Sequence, residues 1–461
     1  MASQSLRRAW LSKLAFAVPE LGAFTRLGGA GELPKGDSGP LLIRCDRGRV
    51  EAPRDQYSAD ELVAILLGSR NRMHPKNSAA WLKGVKVRAL EVRDAPYTEP
   101  AADEIVLRVH AVALNPIDYM TQHQGSLMFP WIKYPFILGT DVAGEVVQVG
   151  TDVDADGNSP LAAVGKVRVG DRVVGFAAGT DEKRNRAAEG GFQHYTVLAA
   201  RMATRIPDGM TWEQAAVLPM GVTTAAAALF KKDQLGLQWP QGPAKTTPQS
   251  TGKDNEIVVI WGGSTSVGSN AIQLAVAAGY EVLTTCSPKN NNALHSLGAA
   301  RCFDYRSSAV VADIVAACYG RKVAGAVAIG HGSGFCCMDV LAQCSTPGKR
   351  KYVAMVSYPM PDVVDPSMAR MGASYMVGSA RLRLKGLSSG CDYKAVFSSN
   401  IIHDEVSVKV WNEFLGAALE SGEYKAVPEA EVVGSGLESV QGGLDKLKKG
   451  VSYKKLVVKL G

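Results

Sequence analysis

The sequence has no cysteine between Cys45 and Cys286, although the 461 residues include eight cysteines in all. Their spacing shows no pairing of the kind that frames a secreted disulfide scaffold, so we expect free thiols and a reducing compartment. No apolar run approaches the roughly 20 residues that a membrane-spanning helix needs. The apolar stretch near the start is broken by Pro19 and Glu20. We therefore expect a soluble protein with no membrane partner.

A dense basic footprint is also lacking. The formal net charge of +7 is modest and spread along the chain, which argues against nucleic acid as a partner. Charged residues make up 21% and hydrophobic residues 46% of the chain, as in ordinary globular proteins. We expect an anionic cofactor and a small-molecule substrate, in a monomer or a homodimer.

The first thirty residues carry Arg7, Arg8, Lys13 and Arg26 against the single acid Glu20. This composition fits a mitochondrial presequence. The alternatives, which we favour, are a disordered extension or an over-long gene model. We expect a cytoplasmic protein, with mitochondrial import as the alternative.

The residue composition and the hydrophobic pattern change along the chain. Residues 1–77 read as a largely irregular extension, with linker composition over 28–55 and one short helix over 59–68. Residues 78–219 contain short alternating segments separated by Pro and Gly, which predict a β-rich domain. Over residues 220–397 the apolar segments IVVIW, YEVLTT, GAVAIG and KYVAMVSY alternate with helical stretches. Such alternation predicts an α/β domain with a doubly wound parallel sheet.

The turn GGSTSVG, between the segment IVVIW and a helix, resembles the start of a dinucleotide-binding unit. Gly263 and Gly268 take the first and third glycine positions, and Thr265 stands where the second glycine is usual. A side chain there implies that the pyrophosphate lies farther out or uses the hydroxyl. The residues predicted to bind phosphate are Gly263, Ser264, Thr265, Ser266, Val267 and Gly268.

The segment after the second strand of this unit has no acid. An acid there would bind the ribose 2′-hydroxyl and select NAD, but none lies between Glu281 and Asp304. Thr285, Ser287 and Lys289 are available as donors, and Lys289 can balance a 2′-phosphate. We therefore predict NADPH as the cofactor. The alternative is that Lys289 is one solvated lysine among many.

Several segments, in order, resemble the medium-chain dehydrogenase/reductase superfamily: NPIDYM, PFILGTDVAGEVVQVG, VGDRVVGF, GGFQHYTVLAA and WGGSTSVGSNAIQLAVAAGYEV. The resemblance covers about residues 79 to 461. It is greatest to the zinc-free quinone oxidoreductase and enoyl reductase branch, including fungal natural-product dehydrogenases and trans-acting enoyl reductases. It implies a GroES-like catalytic domain made of residues 78–219 and the returning segment 398–461, and a Rossmann NADP-binding domain at 220–397.

Zinc members of the superfamily place ligands near Asn115 and near Thr140 and Asp141. Without a cysteine in this domain, the usual zinc ligation is not available, and we predict no metal site. Asp141 is expected to be structural. The resemblance then implies reduction of a conjugated C=C by NADPH, with a polyketide intermediate as substrate or a synthase as partner.

The predicted catalytic residues are Asn115 and Tyr119. Asn115 would donate a hydrogen bond to the substrate carbonyl or to the nicotinamide ribose, and Tyr119 would donate a proton. Many relatives carry a lysine where this chain has Met120, and a turn with a packed tyrosine is the alternative interpretation. Thr223, Tyr305 and Gly330 are further predicted cofactor contacts. Two other functions stay open: a quinone or carbonyl reductase or alcohol dehydrogenase, and a nucleotide-binding member without catalysis.

Overall fold

The computed structural model describes residues 41–45, 48–52, 74–87, 89–153, 167–241, 256–344, 348, 350–357 and 368–460. The chain divides into two compact units, Met1–His74 and Pro75–Gly461. In the first unit, β1 (Leu41–Cys45) pairs antiparallel with β2 (Gly48–Ala52). The segment 28–55, predicted to be a linker, therefore contains a β-hairpin. Its Leu, Ile and Val residues favour strands. The basic segment at 1–30 and the helix predicted at 59–68 lie outside the described residues.

The second unit alternates strands and helices. Its strands are β3 (Asn77–Leu82), β4 (Glu91–Ala95), β5 (Glu104–Ala113), β6 (Phe136–Ile137), β7 (Asp141–Val149), β8 (Arg172–Phe176), β9 (Tyr195–Ala199), β10 (Ala203–Arg205), β11 (Ile257–Trp261), β12 (Glu281–Cys286), β13 (Arg301–Asp304), β14 (Val323–Ala328), β15 (Tyr352–Met355), β16 (Asp392–Ala395), β17 (Glu429–Ser435) and β18 (Lys454–Lys459). Its α-helices are α1 (Pro116–Met128), α2 (Trp212–Ala216), α3 (Pro219–Phe230), α4 (Ser266–Ala277), α5 (Asn291–His295), α6 (Val310–Cys318), α7 (Ser333–Gln343), α8 (Met368–Ser389), α9 (Glu405–Ser407), α10 (Gly416–Glu420) and α11 (Ser439–Lys448), with a π-helical segment, Val408–Leu415, between α9 and α10.

The β-rich part is built around a seven-stranded sheet in the order β10-β8-β7-β5-β18-β17, with β9 also paired to β5. A three-stranded sheet, β4-β3-β6, accompanies it. The C-terminal strand β18 runs antiparallel to β5, with Val457 opposite Ala113. Leu107, Leu138 and Leu456 are buried together in its core. Strand β18 thus joins the sheet that contains β5, although the first residues of these strands, Glu104 and Lys454, are 350 positions apart in the sequence.

The other sheet is parallel, in the order β13-β12-β11-β14-β15-β16. All five residues of β11 are buried, as expected for a central strand covered by helices on both faces. The chain reverses its direction of winding between β11 and β14, and ligands bind beside such a switch point, outside the carboxyl ends of the strands. The two sheets confirm the predicted fold class.

Helix α3 lies between the two sheets. Nearly all of its residues are buried, and its alanines share one hydrophobic core with Val174 of β8 and with Val258 and Ile260 of β11. Small side chains let α3 approach both layers closely, so that residues at its N-terminal end are held at the junction. None of the described helices is long and apolar enough to cross a bilayer.

Candidate active site and dinucleotide-binding turn

Each glycine in the turn between β11 and α4 has a steric reason. Gly262 has a φ of +90°, a conformation that favours glycine. A Cβ on Gly263 would lie 2.2 Å from Thr284 Oγ1, and a Cβ on Gly268 would lie 2.2 Å from the carbonyl oxygen of Gly262. The turn therefore brings the start of α4 into backbone contact with the end of β11. This is the close approach that a dinucleotide-binding turn requires.

Thr265 is the N-cap of α4. Its φ of −80° is open to any residue, so no glycine is needed there. Its hydroxyl accepts a hydrogen bond from Gly268 N at 2.9 Å and donates to the Gly262 carbonyl at 2.8 Å. In this conformation the one proton of the Thr265 hydroxyl is used within the turn, so donation to phosphate stays a prediction that requires this hydroxyl to rotate.

Two other hydroxyls near this turn are buried without a hydrogen-bond partner among the described residues: Ser266 Oγ and Thr223 Oγ1. Buried hydroxyls are normally paired, so unpaired ones call for a ligand or water. A Cβ on Gly221 would lie 2.8 Å from Ser266 Oγ, which brings the first turn of α3 against the first residue of α4. Ser264 and Val267 are half-buried in the same turn. These groups fit a phosphate-bearing dinucleotide, with hydroxyl donors supplied by both helices.

The predicted 2′-phosphate contacts follow neighbouring strand ends. Cys286 of β12 is in register with Asp304 of β13, so the half-buried Ser287 and the exposed Tyr305 each follow one of these paired residues. Lys289 is exposed, in a short 3₁₀-helix, Pro288–Asn290.

Arg306 was missed by the sequence analysis. Its guanidinium lies over the Tyr305 ring, 5.1 Å from the centroid, and adds a cation after β13 to that of Lys289 after β12. The nearby acid, Asp304, accepts a hydrogen bond from Arg306 N at 3.0 Å. The available signal was a basic residue two positions after the end of the third strand. Thr285, which we had considered a donor to the ribose, is instead buried and accepts from Gly262 N at 3.0 Å.

Gly330 lies at the same edge of the sheet, two residues after β14. It has a φ of +103° and donates its N–H to Ser357 Oγ at 2.8 Å. Just before it, Ile329 N donates to the carbonyl of Trp261 at 3.1 Å. This bond places the loop of Gly330 beside the turn that opens α4. A Cβ on Gly330 would meet no atom within 4 Å, so the loop faces open space.

The predicted catalytic residues lie at the start of α1. Asn115 is its N-cap and Pro116 its first residue, an arrangement that suits proline because the first helical N–H has no partner in the helix. Tyr119 and Met120 are half-buried. Burial raises the pKa of the Tyr119 hydroxyl, so it stays protonated at neutral pH.

Asp118 is fully buried beneath this helix start. Its carboxylate accepts a hydrogen bond from Asn115 N at 2.8 Å. Burial, together with the negative charge of Asp141, raises the pKa of this carboxyl to about 7, although the hydrogen bond from Asn115 N and the charge of Lys455 oppose the rise. The group therefore holds a proton near neutral pH more readily than an ordinary aspartate does.

Lys455 of β18 was also missed by the sequence analysis. Its ammonium lies 2.8 Å from Asp141 Oδ2 and donates to Asn115 Oδ1. Asp141 in turn accepts from Met220 N, at the start of α3, at 2.7 Å. Asp141 is therefore tied into the structure, in the manner expected of a structural acid. The only signal for Lys455 was a lysine directly before the apolar run LVV.

Zinc does not fit this site. At the positions where zinc relatives carry ligands, this chain presents the Asn115 amide and the Thr140 hydroxyl beside the Lys455 ammonium, and Asp141 is already paired. In the parts of the chain that the structure describes, no three His, Cys, Asp or Glu side chains are grouped to hold a metal ion. All cysteines whose side chains are described lie between Cys286 and Cys391 and are free thiols.

Comparison with known proteins identifies the family. A profile described as the alcohol dehydrogenase GroES-like domain matches residues 101–208. The dehydrogenase pigH of Monascus ruber is 47% identical over 84% of this chain and 100% of its own length. The trans-enoyl reductase himH of Aspergillus japonicus is 34% identical over 83% of this chain and 97% of its own length.

A solved structure shares the fold. The quinone oxidoreductase from Coxiella burnetii has a TM-score of 0.57 at 21% sequence identity, over 84% of this chain and 100% of its own. This chain belongs to the medium-chain dehydrogenase/reductase superfamily, as an oxidoreductase related to fungal dehydrogenases and enoyl reductases. Members of this enoyl reductase family use a nicotinamide cofactor.

Proposed function

We propose that this protein is a zinc-independent, NADPH-dependent reductase of conjugated C=C bonds, acting on an enoyl or enone intermediate of a fungal polyketide pathway. The observation that carries the proposal is the Lys455 ammonium among Asn115, Thr140 and Asp141. Asp141, the anionic member of this group, is already paired with that ammonium, so hydrogen-bond donors rather than a metal ion would hold the substrate oxygen. Reduction of an enone does not need a metal ion as Lewis acid, because the reaction passes through an enolate that hydrogen-bond donors can stabilise.

Two features support NADPH over NADH. No carboxylate directly follows β12, where Ser287 stands, and positive charge is provided by Lys289 after β12 and by Arg306 over the Tyr305 ring after β13. When bound, this cofactor supplies a hydride to the β-carbon. Its phosphates and its nicotinamide side would be held by Gly263, Gly268 and the hydroxyls of Ser266 and Thr223. Its ribose would lie near Gly330.

The protein groups assigned to the reaction are Asn115 and Tyr119. The Asn115 amide keeps one N–H beyond its bond to Thr140, and this N–H can donate to an enolate oxygen. The Tyr119 hydroxyl, protonated at neutral pH, can deliver the proton to the α-carbon directly or through water. Met120 adds no charge, so positioning dominates the catalytic contribution.

The proposal extends to the surroundings of the enzyme. The pairing of β18 with β5 supports a catalytic domain made of residues 78–219 and 398–461 around a cofactor domain at 220–397. The description of himH as a trans-enoyl reductase supports a synthase as partner. We propose a cytoplasmic location, with no nucleic acid or membrane partner.

A quinone or carbonyl reductase is the second candidate, and the protonated Tyr119 favours it, because this hydroxyl would serve equally to protonate a carbonyl oxygen. The test uses purified protein with NADPH and matched panels of enones, quinones and ketones, followed at 340 nm as NADPH is consumed. Consumption with enones and enoyl thioesters is expected. Consumption only with quinones or ketones would exclude the first candidate, and tight NADPH binding with no turnover would favour a non-catalytic member.

A further inference from the structure

Four buried side chains form a closed ring at the junction of the two sheets. Lys455 donates to Asn115 Oδ1, and Asn115 Nδ2 donates to Thr140 Oγ1 at 3.0 Å. Thr140 Oγ1 donates to Asp141 Oδ1 at 3.1 Å, and Asp141 Oδ2 lies 2.8 Å from the Lys455 ammonium. The ring joins the ends of three chain segments: the start of α1, the start of β7 and the strand β18.

The two charged members fix the direction of every hydrogen bond in the ring. An ammonium can only donate, and a carboxylate can only accept. The Thr140 hydroxyl must therefore point its proton at Asp141 and accept from Asn115. The Asn115 amide must turn its oxygen to Lys455 and its nitrogen to Thr140, although an isolated asparagine amide has no such preference.

Burial makes this arrangement strong. The relative exposures are 5% for Lys455, 2% for Asn115, 4% for Thr140 and 0% for Asp141. Water does not compete at such a site, and a buried charge left without its partner is costly. Because Asp141 also accepts from Met220 N, the ring is tied to the end of α3 that carries Thr223.

We infer that Lys455 is a positioning residue that holds the Asn115 amide in one orientation, with its oxygen on the Lys455 ammonium and its nitrogen on Thr140. In this orientation the amide offers its second N–H to a substrate oxygen, and this group can only donate a hydrogen bond. The inference rests on the proposed function only for the substrate that this N–H meets. The ring itself is independent of the reaction.

The first test needs no substrate. Melting temperatures are measured for wild type, Lys455→Met, Asn115→Ala and the double variant, with Lys454→Met as the control. Lys454 precedes Lys455 on the same strand, and its ion pair is with Glu429 outside the ring. The inference predicts that the effects of the two substitutions are not additive. The fall in melting temperature of the double variant should be at least about 2 °C smaller than the sum of the falls of the two single variants. Additive falls would overturn it.

The second test separates positioning from stability. Lys455→Met leaves Asp141 as a buried, unpaired charge, whereas Asp141→Asn with Lys455→Met removes both charges. The double variant is expected to recover the melting temperature but to keep a kcat about tenfold or more below wild type, because the amide is no longer held. Lys455→Arg, which keeps the donor, is expected to recover part of the kcat.

Recovery of kcat together with melting temperature in the double variant would overturn the inference. The kinetic measurement uses whichever substrate the wild type reduces, an enone, a quinone or a ketone. Absence of enone reduction by wild type therefore contradicts the proposed function alone, and the ring is still tested.

Discussion

Replacing Gly268 by alanine tests the turn before α4 with a single methyl group. The added Cβ would lie 2.2 Å from the Gly262 carbonyl oxygen and 2.7 Å from Gly263 Cα. Both atoms belong to the backbone, so no side-chain rotation can relieve the contact. Overpacking of this kind costs about 3 kcal/mol, against a gain of about 1 kcal/mol from alanine's helix propensity.

The expected net loss is about 2 kcal/mol, which lowers the melting temperature by about 4 °C. Because relief of the contact moves α4 away from β11, the helix N–H groups also leave their positions for phosphate. We expect the Kd for NADPH to rise by about tenfold, equal to about 1.4 kcal/mol. Thermal unfolding followed by circular dichroism and titration of NADPH fluorescence measure the two effects.

Gly442→Ala is the matched control. Gly442 lies within α11, is exposed, and has no atom within 4 Å of an added Cβ. This variant should gain stability, by about 1 kcal/mol at most, and bind NADPH as wild type does. If Gly268→Ala showed no fall in melting temperature and no loss of NADPH affinity, the close contact of α4 with β11 would be refuted as the basis of the cofactor site.

Three further substitutions test separate parts of the site. Ser287→Asp places a carboxylate after β12 and should weaken NADPH binding by about tenfold or more while sparing NADH, since it repels a 2′-phosphate; equal losses in both titrations would contradict the predicted preference. Thr223→Val removes a buried, unpaired hydroxyl, so the free protein should melt no lower than wild type while the Kd for NADPH rises by about fivefold; a lower melting temperature would mean that the hydroxyl is paired in the free protein. Asp118 binds its proton more tightly when folded, with a pKa of about 7 against an ordinary 3.8, so its contribution to stability is lost as the pH rises from about 4 to about 7. Asp118→Asn should flatten the decline in melting temperature over that range, and an unchanged pH dependence would count against a buried Asp118.

Local patterns were enough to predict the strand, turn and helix on which the proposed cofactor site is built. The apolar strand β11, the small-residue turn and the helix α4 are consecutive in the chain, so their order alone places Gly263 and Gly268 at a strand-to-helix turn. The local pattern did not predict that Thr265 caps α4, because the glycine fingerprint was the only template applied to that position. At a position with negative φ, a threonine is an ordinary helix cap.

The catalytic half depends on contacts that no local pattern carries. Lys455 and Asn115 are 340 positions apart, and a lysine in a strand near the chain end reads as a surface residue. Only the pairing of β18 with β5 brings its ammonium to Asn115. Arg306 was missed for the opposite reason, because it is one of several exposed basic residues and only its contact with Tyr305 distinguishes it.

The most direct test of the account is the position of the transferred hydrogen. Purified wild-type protein is incubated with an α,β-unsaturated thioester and NADPH deuterated at the nicotinamide C4, and the product is analysed by mass spectrometry and NMR. The account predicts a saturated thioester that carries one deuterium on the β-carbon. Deuterium on the carbonyl carbon, in an unsaturated aldehyde released together with the free thiol, would contradict it.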